Sequence, residues 1–213
     1  MFRKILIAAC TLTFAFTVLF SSVLKSTSLK YAFSGSTSPT PAGVLSALEE
    51  SDKEIDYVLP YPGVILPDHT LWSFKVLRDK AWFYLTLNSN RKAELALLFA
   101  DKRLLSSKIL FEREKAELAF STFTKAEKYL EEASILEREN RENDLDTSEF
   151  LTRLANASLK HRQVAEEILL IAPEDARPGI ILTQDYSKNI YNTSRAALLE
   201  KNLPVPQNPF EED

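Results

Sequence analysis

The chain has few of the residues that build disulfide-linked, loop-rich or metal-binding proteins. Its 213 residues include one cysteine, Cys10, four glycines and two histidines, His69 and His161. A single cysteine excludes a disulfide within the chain, so the fold depends on packing. Metal sites in helical bundles use carboxylates and Glu-x-x-His pairs, and the sequence has no such pair. We therefore expect a packed protein without a metal or another cofactor.

Turn residues are missing from the middle of the chain. Residues 68–172 contain neither proline nor glycine. A β-rich domain needs turn residues about every 8 to 12 positions, which this span does not supply. The sequence therefore predicts an all-α fold, an elongated antiparallel bundle of about five helices with coiled-coil-like seams.

A concentrated basic surface is also missing. The formal net charge is -4, yet the first thirty residues carry four basic side chains and no acid. Without those four, 22 basic residues face 30 acidic ones. Nucleic-acid binding needs a cluster of Lys and Arg that neutralises phosphates, so this class of partner is excluded.

The N-terminus carries a pattern of export. Arg3 and Lys4 precede an uncharged apolar run over residues 5–24. Segments that enter a membrane have this pattern, and their basic flank stays on the cytoplasmic side. We expect residues 1–34 to be a signal peptide or a signal anchor. A signal core has about 7 to 15 apolar residues and a membrane span about 20, so cleavage before Gly35 and retention through residues 5–24 both remain open.

The composition divides the remainder into three parts. Residues 35–56 are rich in Ser, Thr and Pro and then in acids, which is typical of a flexible tether. Residues 57–203 form the predicted helical domain, and residues 204–213 form a C-terminal tail. The domain opens with YVLPYPGVILPDH, Tyr57–His69. We interpret this stretch as a joint where extended chain docks onto the bundle near Trp72, with Asp68 capping the first helix. The residues of this structural motif are Pro60, Tyr61, Pro62, Gly63, Pro67 and Asp68.

Periodic apolar residues define the helices. The first helix, residues 70–86, has a predicted seam at Leu71, Phe74, Leu77, Ala81 and Leu85. The seam of the second helix, which ends near Glu112, falls out of phase with the seam that follows it. We therefore predict a turn at residues 112–115, with one continuous helix through Arg113 as the alternative.

Two further seams complete the bundle. The fourth helix carries Phe150, Leu154, Ala157, His161, Val164, Ile168 and Ile171 on one side. The fifth helix carries Leu182, Tyr186, Ile190 and Ala197. His161 lies between apolar positions, which is typical of a core histidine hydrogen-bonded to a neighbour.

Several motifs together resemble a known family. They are LPYPGVILPDH, then Phe74–Asp79, Leu85-Thr86, Lys92–Leu95 and Phe99–Leu104. Over residues 57–136 the chain resembles the bacterial exported domain-of-unknown-function family 5667. The resemblance implies an extracytoplasmic helical domain behind a signal sequence, and it brings no activity, substrate or catalytic residue.

The sequence predicts only a broad class of function. Nucleophilic catalysis needs a histidine beside a nucleophile and an acid, and we expect His69 to be a solvated residue near a helix start. We therefore expect no enzyme but an envelope-associated module, secreted or anchored to the bacterial cytoplasmic membrane, that binds an envelope protein or the cell wall. The alternative is a carrier or sensor of a small ligand or metal between helices near His161, Tyr186 and Trp82.

Overall fold

The structure is a computed structural model that describes residues 55–211, and these residues contain five α-helices and no strand. The helices are α1 (Trp72–Leu85), α2 (Ser89–Glu112), α3 (Ala116–Glu142), α4 (Ser148–Ile171) and α5 (Arg177–Glu200). The predicted all-α class is confirmed. The predicted signal segment and nearly all of the tether lie outside the described residues.

The second and third helices form an antiparallel hairpin. The Asn88 side chain accepts a hydrogen bond from the Arg91 amide at 2.9 Å, which caps the start of α2. The helix ends at Glu112, and Glu114 adopts a left-handed φ of 59° before α3 begins. The predicted turn is confirmed, and the alternative prediction of one continuous helix through Arg113 is wrong.

The core lies between the seams of α2, α3, α4 and α5. Three alanines and two large side chains on α3 illustrate this, because Ala119, Phe123, Ala126, Leu130 and Ala133 are all fully buried. Small residues let a neighbouring backbone approach closely, and the Ser107 hydroxyl of α2 donates to the Ala119 carbonyl at 3.0 Å. The predicted α4 seam is buried from Phe150 to Ile168, whereas Ile171 is exposed because α4 ends there.

The buried side of α5 agrees with the prediction at Ile190 and Ala197 and differs from it at Leu182. Leu182 was expected to face inward, but it is 70 % exposed. The buried stripe contains small polar residues, and Thr183 and Ser187 satisfy their hydroxyls on backbone carbonyls of their own helix. Gly179 lies directly on Phe120, where an added Cβ would come within 2.7 Å of the ring. The orientation of α5 therefore depends on close packing at Gly179 together with the buried apolar side chains of Ile180, Ile190 and Leu198.

The N-terminal segment docks on the end of the α2–α3 hairpin. Pro62 and Leu66 are buried, and the Lys75 ammonium donates to the carbonyls of Pro62 at 2.7 Å and Ile65 at 2.9 Å. Asp68 does not cap α1, whose N-cap is Leu71. The Asp68 carboxylate instead pairs with Arg113 at 3.1 Å and Lys115 at 2.7 Å, and so ties the segment to the hairpin turn.

The first helix is oriented opposite to the prediction. The seam Leu71, Phe74, Leu77, Ala81 and Leu85 faces outward and is exposed. The inner side of α1 instead carries Asp79, which is only 5 % exposed, and Phe83, which packs against the core. Trp82 makes an edge contact with Phe99 at a ring distance of 6.4 Å. Aromatic and polar contacts therefore hold α1, and its regular apolar stripe remains uncovered.

Candidate functional site

A chain of four hydrogen-bonded side chains crosses the centre of the bundle. His161 on α4 is fully buried, and its Nδ1 lies 2.8 Å from Glu127 Oε1 on α3. Its Nε2 lies 3.1 Å from Asp101 Oδ1 on α2. The Tyr57 hydroxyl of the N-terminal segment donates to Asp101 Oδ2 at 2.7 Å. We call these residues, Tyr57, Asp101, Glu127 and His161, the buried network.

The charge state of the buried network follows from its surroundings. Burial alone would lower the pKa of His161, but the carboxylates of Glu127 and Asp101 outweigh it and raise this pKa to about 9. His161 is therefore a cation at neutral pH and donates both of its N–H groups. Burial, followed by the neighbouring Asp101 carboxylate, raises the pKa of the Tyr57 hydroxyl, which remains a neutral donor.

Most hydrogen-bonding atoms of the buried network are paired within it. Both ring nitrogens of His161 are engaged, so the ring has no free position for a proton or a metal. Asp101 uses one oxygen for His161 and the other for Tyr57. Glu127 Oε2 is buried with no hydrogen-bond partner in the structure. The arrangement joins three helices and the N-terminal segment, and within the described range no group of three or more His, Cys, Asp or Glu side chains is arranged to hold a metal ion.

A cleft of about 310 Å³ adjoins the buried network. Tyr57, Trp82, Asp101 and Arg153 contribute to its lining, whereas His161 and Tyr186 do not. Arg153 is already paired with Glu94 at 3.3 Å. This cleft therefore does not bring His161, Tyr186 and Trp82 together, and a ligand between these three side chains stays a prediction.

The exposed stripe of α1 continues onto the preceding loop. Tyr61 and Val64 of that loop lie with Leu71 and Phe74 in the lining of one groove of about 470 Å³. The exposed fraction is 83 % for Val64, 71 % for Phe74 and 78 % for Leu85. We call this surface the N-terminal face; it consists of Tyr61, Val64, Leu71, Phe74, Leu77, Ala81 and Leu85.

Basic side chains border the N-terminal face. Lys75, Arg78 and Lys102 line the same groove, and no acidic residue is among the residues that line it. Asp79 follows Arg78 in sequence; its carboxylate is buried and pairs with the Arg78 guanidinium at 2.7 Å. Apolar and cationic groups therefore meet at one exposed surface of a chain whose net charge is negative.

Sequence reasoning singled out His161 but missed its partners. Asp101 and Glu127 lie 60 and 34 residues away from it along the chain, on other helices. Arg103 was missed as well; it is buried, with its guanidinium 4.3 Å from the centre of the Tyr129 ring and donating to the Phe99 carbonyl at 3.2 Å. The one available signal was the position of these charged residues next to buried seam residues.

Comparison with known families assigns most of this domain. A family model matches residues 64–175, just over half of the chain. The chain belongs to the family described as Domain of unknown function (DUF5667). The DUF5667 match covers α1 to α4 with Asp101, Glu127 and His161, and leaves Tyr57 and α5 outside. The predicted membership is confirmed, although the match extends beyond Leu136, where the sequence resemblance ends.

Other comparisons add no relative to the DUF5667 assignment. Neither curated proteins nor solved structures give a match. Among the described residues, none of the helices has both the length and the apolar content needed to cross a membrane.

Proposed function

We propose that the protein is a non-enzymatic, envelope-associated helical module that binds another envelope component through its N-terminal face. The observation that carries the proposal is the regular apolar stripe on the outer side of α1. Large contiguous apolar patches are uncommon on isolated soluble domains and mark interaction surfaces. An ordered helix with Phe74 and Leu85 directed outward is suited to contact with a second body.

The distribution of exposed side chains supports this assignment to one surface. Within the described range, ten of the sixteen exposed large apolar residues lie between Val58 and Leu87. Of the other six, Ile181 and Leu182 are adjacent, and the remaining four are far apart along the chain. The contrast favours one specialised face over a generally apolar surface.

The location in the envelope rests on sequence alone. The basic flank and apolar run at residues 3–24 lie outside the described residues. A reporter enzyme that is active only outside the cytoplasm, fused after Asp213 of the full chain, tests this part of the proposal. We expect activity that is lost when residues 5–24 are deleted, and activity unaffected by that deletion would contradict export.

The absence of catalysis is part of the proposal. The buried histidine already has a carboxylate on each ring nitrogen. His69, the other histidine, is exposed, and its Nδ1 accepts a hydrogen bond from the Leu71 amide at 3.1 Å. These positions give neither ring the geometry of a general base beside a nucleophile.

The binding surface itself is tested by site-specific photocross-linking. Phe74 and Leu182 form a matched pair, because they are 71 % and 70 % exposed and lie on the outer sides of α1 and α5. A photoreactive phenylalanine analogue at either position of the full chain is activated in cells that make the protein. We expect adducts from position 74 and few from position 182.

Two results would contradict this part of the proposal. Equal adduct yields at the two positions would show collisions without a specialised face. No adduct at position 74 would show that the N-terminal face is free of partners in the cell.

A further inference from the structure

We propose that the component bound by the N-terminal face is the surface of a bilayer that contains anionic lipid. The proposal rests on the function proposed above and names the partner of the same surface. Two kinds of observation carry it, namely the side chains that compose the face and the charge around it.

The composition of the face matches that of segments that lie in a membrane interface. Such segments place aliphatic and aromatic side chains in the boundary between head groups and acyl chains. Here Phe74 and Leu85 project from one side of α1, and Tyr61 and Val64 project from the loop beside it. A helix and a loop tip that share one exposed apolar surface can enter an interface together.

The charge around the face complements anionic lipid. Lys75, Arg78 and Lys102 line the groove, and the one acid beside them is the buried Asp79, which pairs with Arg78. On the other flank of α1, a cleft of about 310 Å³ is lined by Lys80, Lys125 and Lys128 together with Phe83, Tyr84, Tyr129 and Glu132. Lys and Arg side chains near a membrane are attracted by the negative potential of anionic head groups. The local charge is therefore positive although the whole chain is acidic.

A second copy of the chain fits the face less well. Arg78 lies midway between Leu71 and Leu85, and its side chain is 67 % exposed. Twofold pairing of two α1 helices, parallel in register or antiparallel about their centre, would bring the two Arg78 side chains together. Asp79 offsets part of each Arg78 charge, so the repulsion in such a contact is partial, whereas lipid phosphates would give the exposed guanidinium a further partner.

The position of the face in the chain also fits a bilayer. Residues 25–54 separate the predicted membrane segment from Ile55, the first described residue. The sequence predicts a flexible tether over most of this stretch, and a flexible chain of that length would have a root-mean-square span of about 30 Å. A retained anchor would therefore hold the N-terminal face close to the membrane from which the tether emerges.

The test measures the insertion of single positions, because the apolar run at residues 5–24 would by itself bring the full chain to vesicles. An environment-sensitive fluorescent amino acid replaces Leu85 or, as the control, Leu182 in the full chain reconstituted into vesicles. The vesicles contain phosphatidylglycerol and phosphatidylcholine, or phosphatidylcholine alone, each with and without brominated acyl chains. We expect bromine to quench the reporter at position 85 in the anionic vesicles only, and the reporter at position 182 in neither.

Two substitutions are expected to weaken insertion by different amounts. We expect Phe74→Ser to weaken insertion of the position-85 reporter on the order of tenfold, because an apolar side chain no longer enters the interface. We expect Lys102→Gln to weaken it by about fivefold, and high salt to weaken it further. Leu182→Ser serves as the control and should leave the quenching unchanged.

The other outcomes separate this proposal from the function proposed above. Absence of quenching at position 85, with photocross-linking in cells still specific for position 74, would overturn the lipid proposal and leave a protein or cell-wall partner. Equal quenching in neutral vesicles would overturn the role of anionic lipid. Equal quenching at positions 85 and 182 would overturn a specific face altogether.

Discussion

His161 in the centre of α4 and Phe74 on the outer side of α1 both lie where side chains of their kind are uncommon. The first is a cationic ring with no exposed surface, and the second is an aromatic ring with 71 % of its surface exposed. His161 has a carboxylate on each nitrogen, so the fold itself accounts for its position. Phe74 lies on an exposed apolar stripe, which the bundle leaves uncovered. The comparison separates a residue that serves the structure from one that is available for binding.

The largest expected effect is the loss of the buried cation. The substitution His161→Gln leaves two carboxylates in the core without a positive charge between them. Breaking a buried ion pair in this way costs about 3 to 5 kcal/mol of unfolding free energy. Urea denaturation of the variant and the parent chain measures the difference.

The exposed histidine provides the control for that substitution. His69→Gln should change the unfolding free energy by less than about 0.5 kcal/mol. Adding Glu127→Gln to His161→Gln should recover part of the loss, because it removes one buried charge. If His161→Gln proved as mild as His69→Gln, the charged network would not be a structural element.

The second effect concerns the pH dependence of stability. Since the pKa of His161 is raised to about 9 from an ordinary value of 6.5, the folded chain binds more protons than the unfolded chain between these values. The stabilisation is complete below about pH 6.5 and is lost as the pH rises through 9. The expected loss is about 3 kcal/mol by linkage.

Urea denaturation at pH 6 and at pH 9.5 measures this loss. The same pair of measurements on His161→Gln removes the contribution of the other titrating groups, including Lys75, whose pKa is lowered by burial. A parent chain and a variant that lose equal stability over this range would rule out a protonated His161.

A smaller effect is expected at the link between the N-terminal segment and the core. Tyr57→Phe removes the hydroxyl that donates to Asp101 and leaves one carboxylate oxygen without this partner. We expect a loss of about 1 to 2 kcal/mol. Tyr61→Phe, at an exposed position, should have no measurable effect on the denaturation midpoint, and equal effects of the two changes would argue against the bond.

The smallest effect is predicted on the N-terminal face. Phe74→Ser and Leu85→Ser should each change the unfolding free energy by less than about 0.5 kcal/mol, because neither side chain is buried. Thermal unfolding by circular dichroism gives the comparison with the parent chain. A loss of several degrees would show that the stripe belongs to the folded core after all.

The sequence predicted those parts of the fold that depend on local patterns. A span without proline or glycine and seams in steps of three and four residues indicated the helices, and a change of phase near Phe111 indicated the turn. The orientation of α1 could not be predicted, because periodicity shows that a helix has an apolar side but not which neighbour covers it. Leu182 on α5 was assigned inward for the same reason.

The buried network lay beyond local patterns altogether. Its three charged members come from three helices, and the helix packing alone brings them within hydrogen-bond distance. A lone histidine on a seam indicated that some partner was needed. Neither Asp101 nor Glu127 has a spacing relative to His161 that a helical period would reveal.

The bond between Tyr57 and Asp101 also determines how the domain would bear a mechanical load. A pull on Ile55, the first described residue, reaches Tyr57 before it reaches any of the five described helices. The Tyr57 hydroxyl and then the two ion pairs of Asp68 would carry the force, since they fasten the segment to α2 and to the turn after it. The start of α1 would be loaded along the chain only after these bonds had broken.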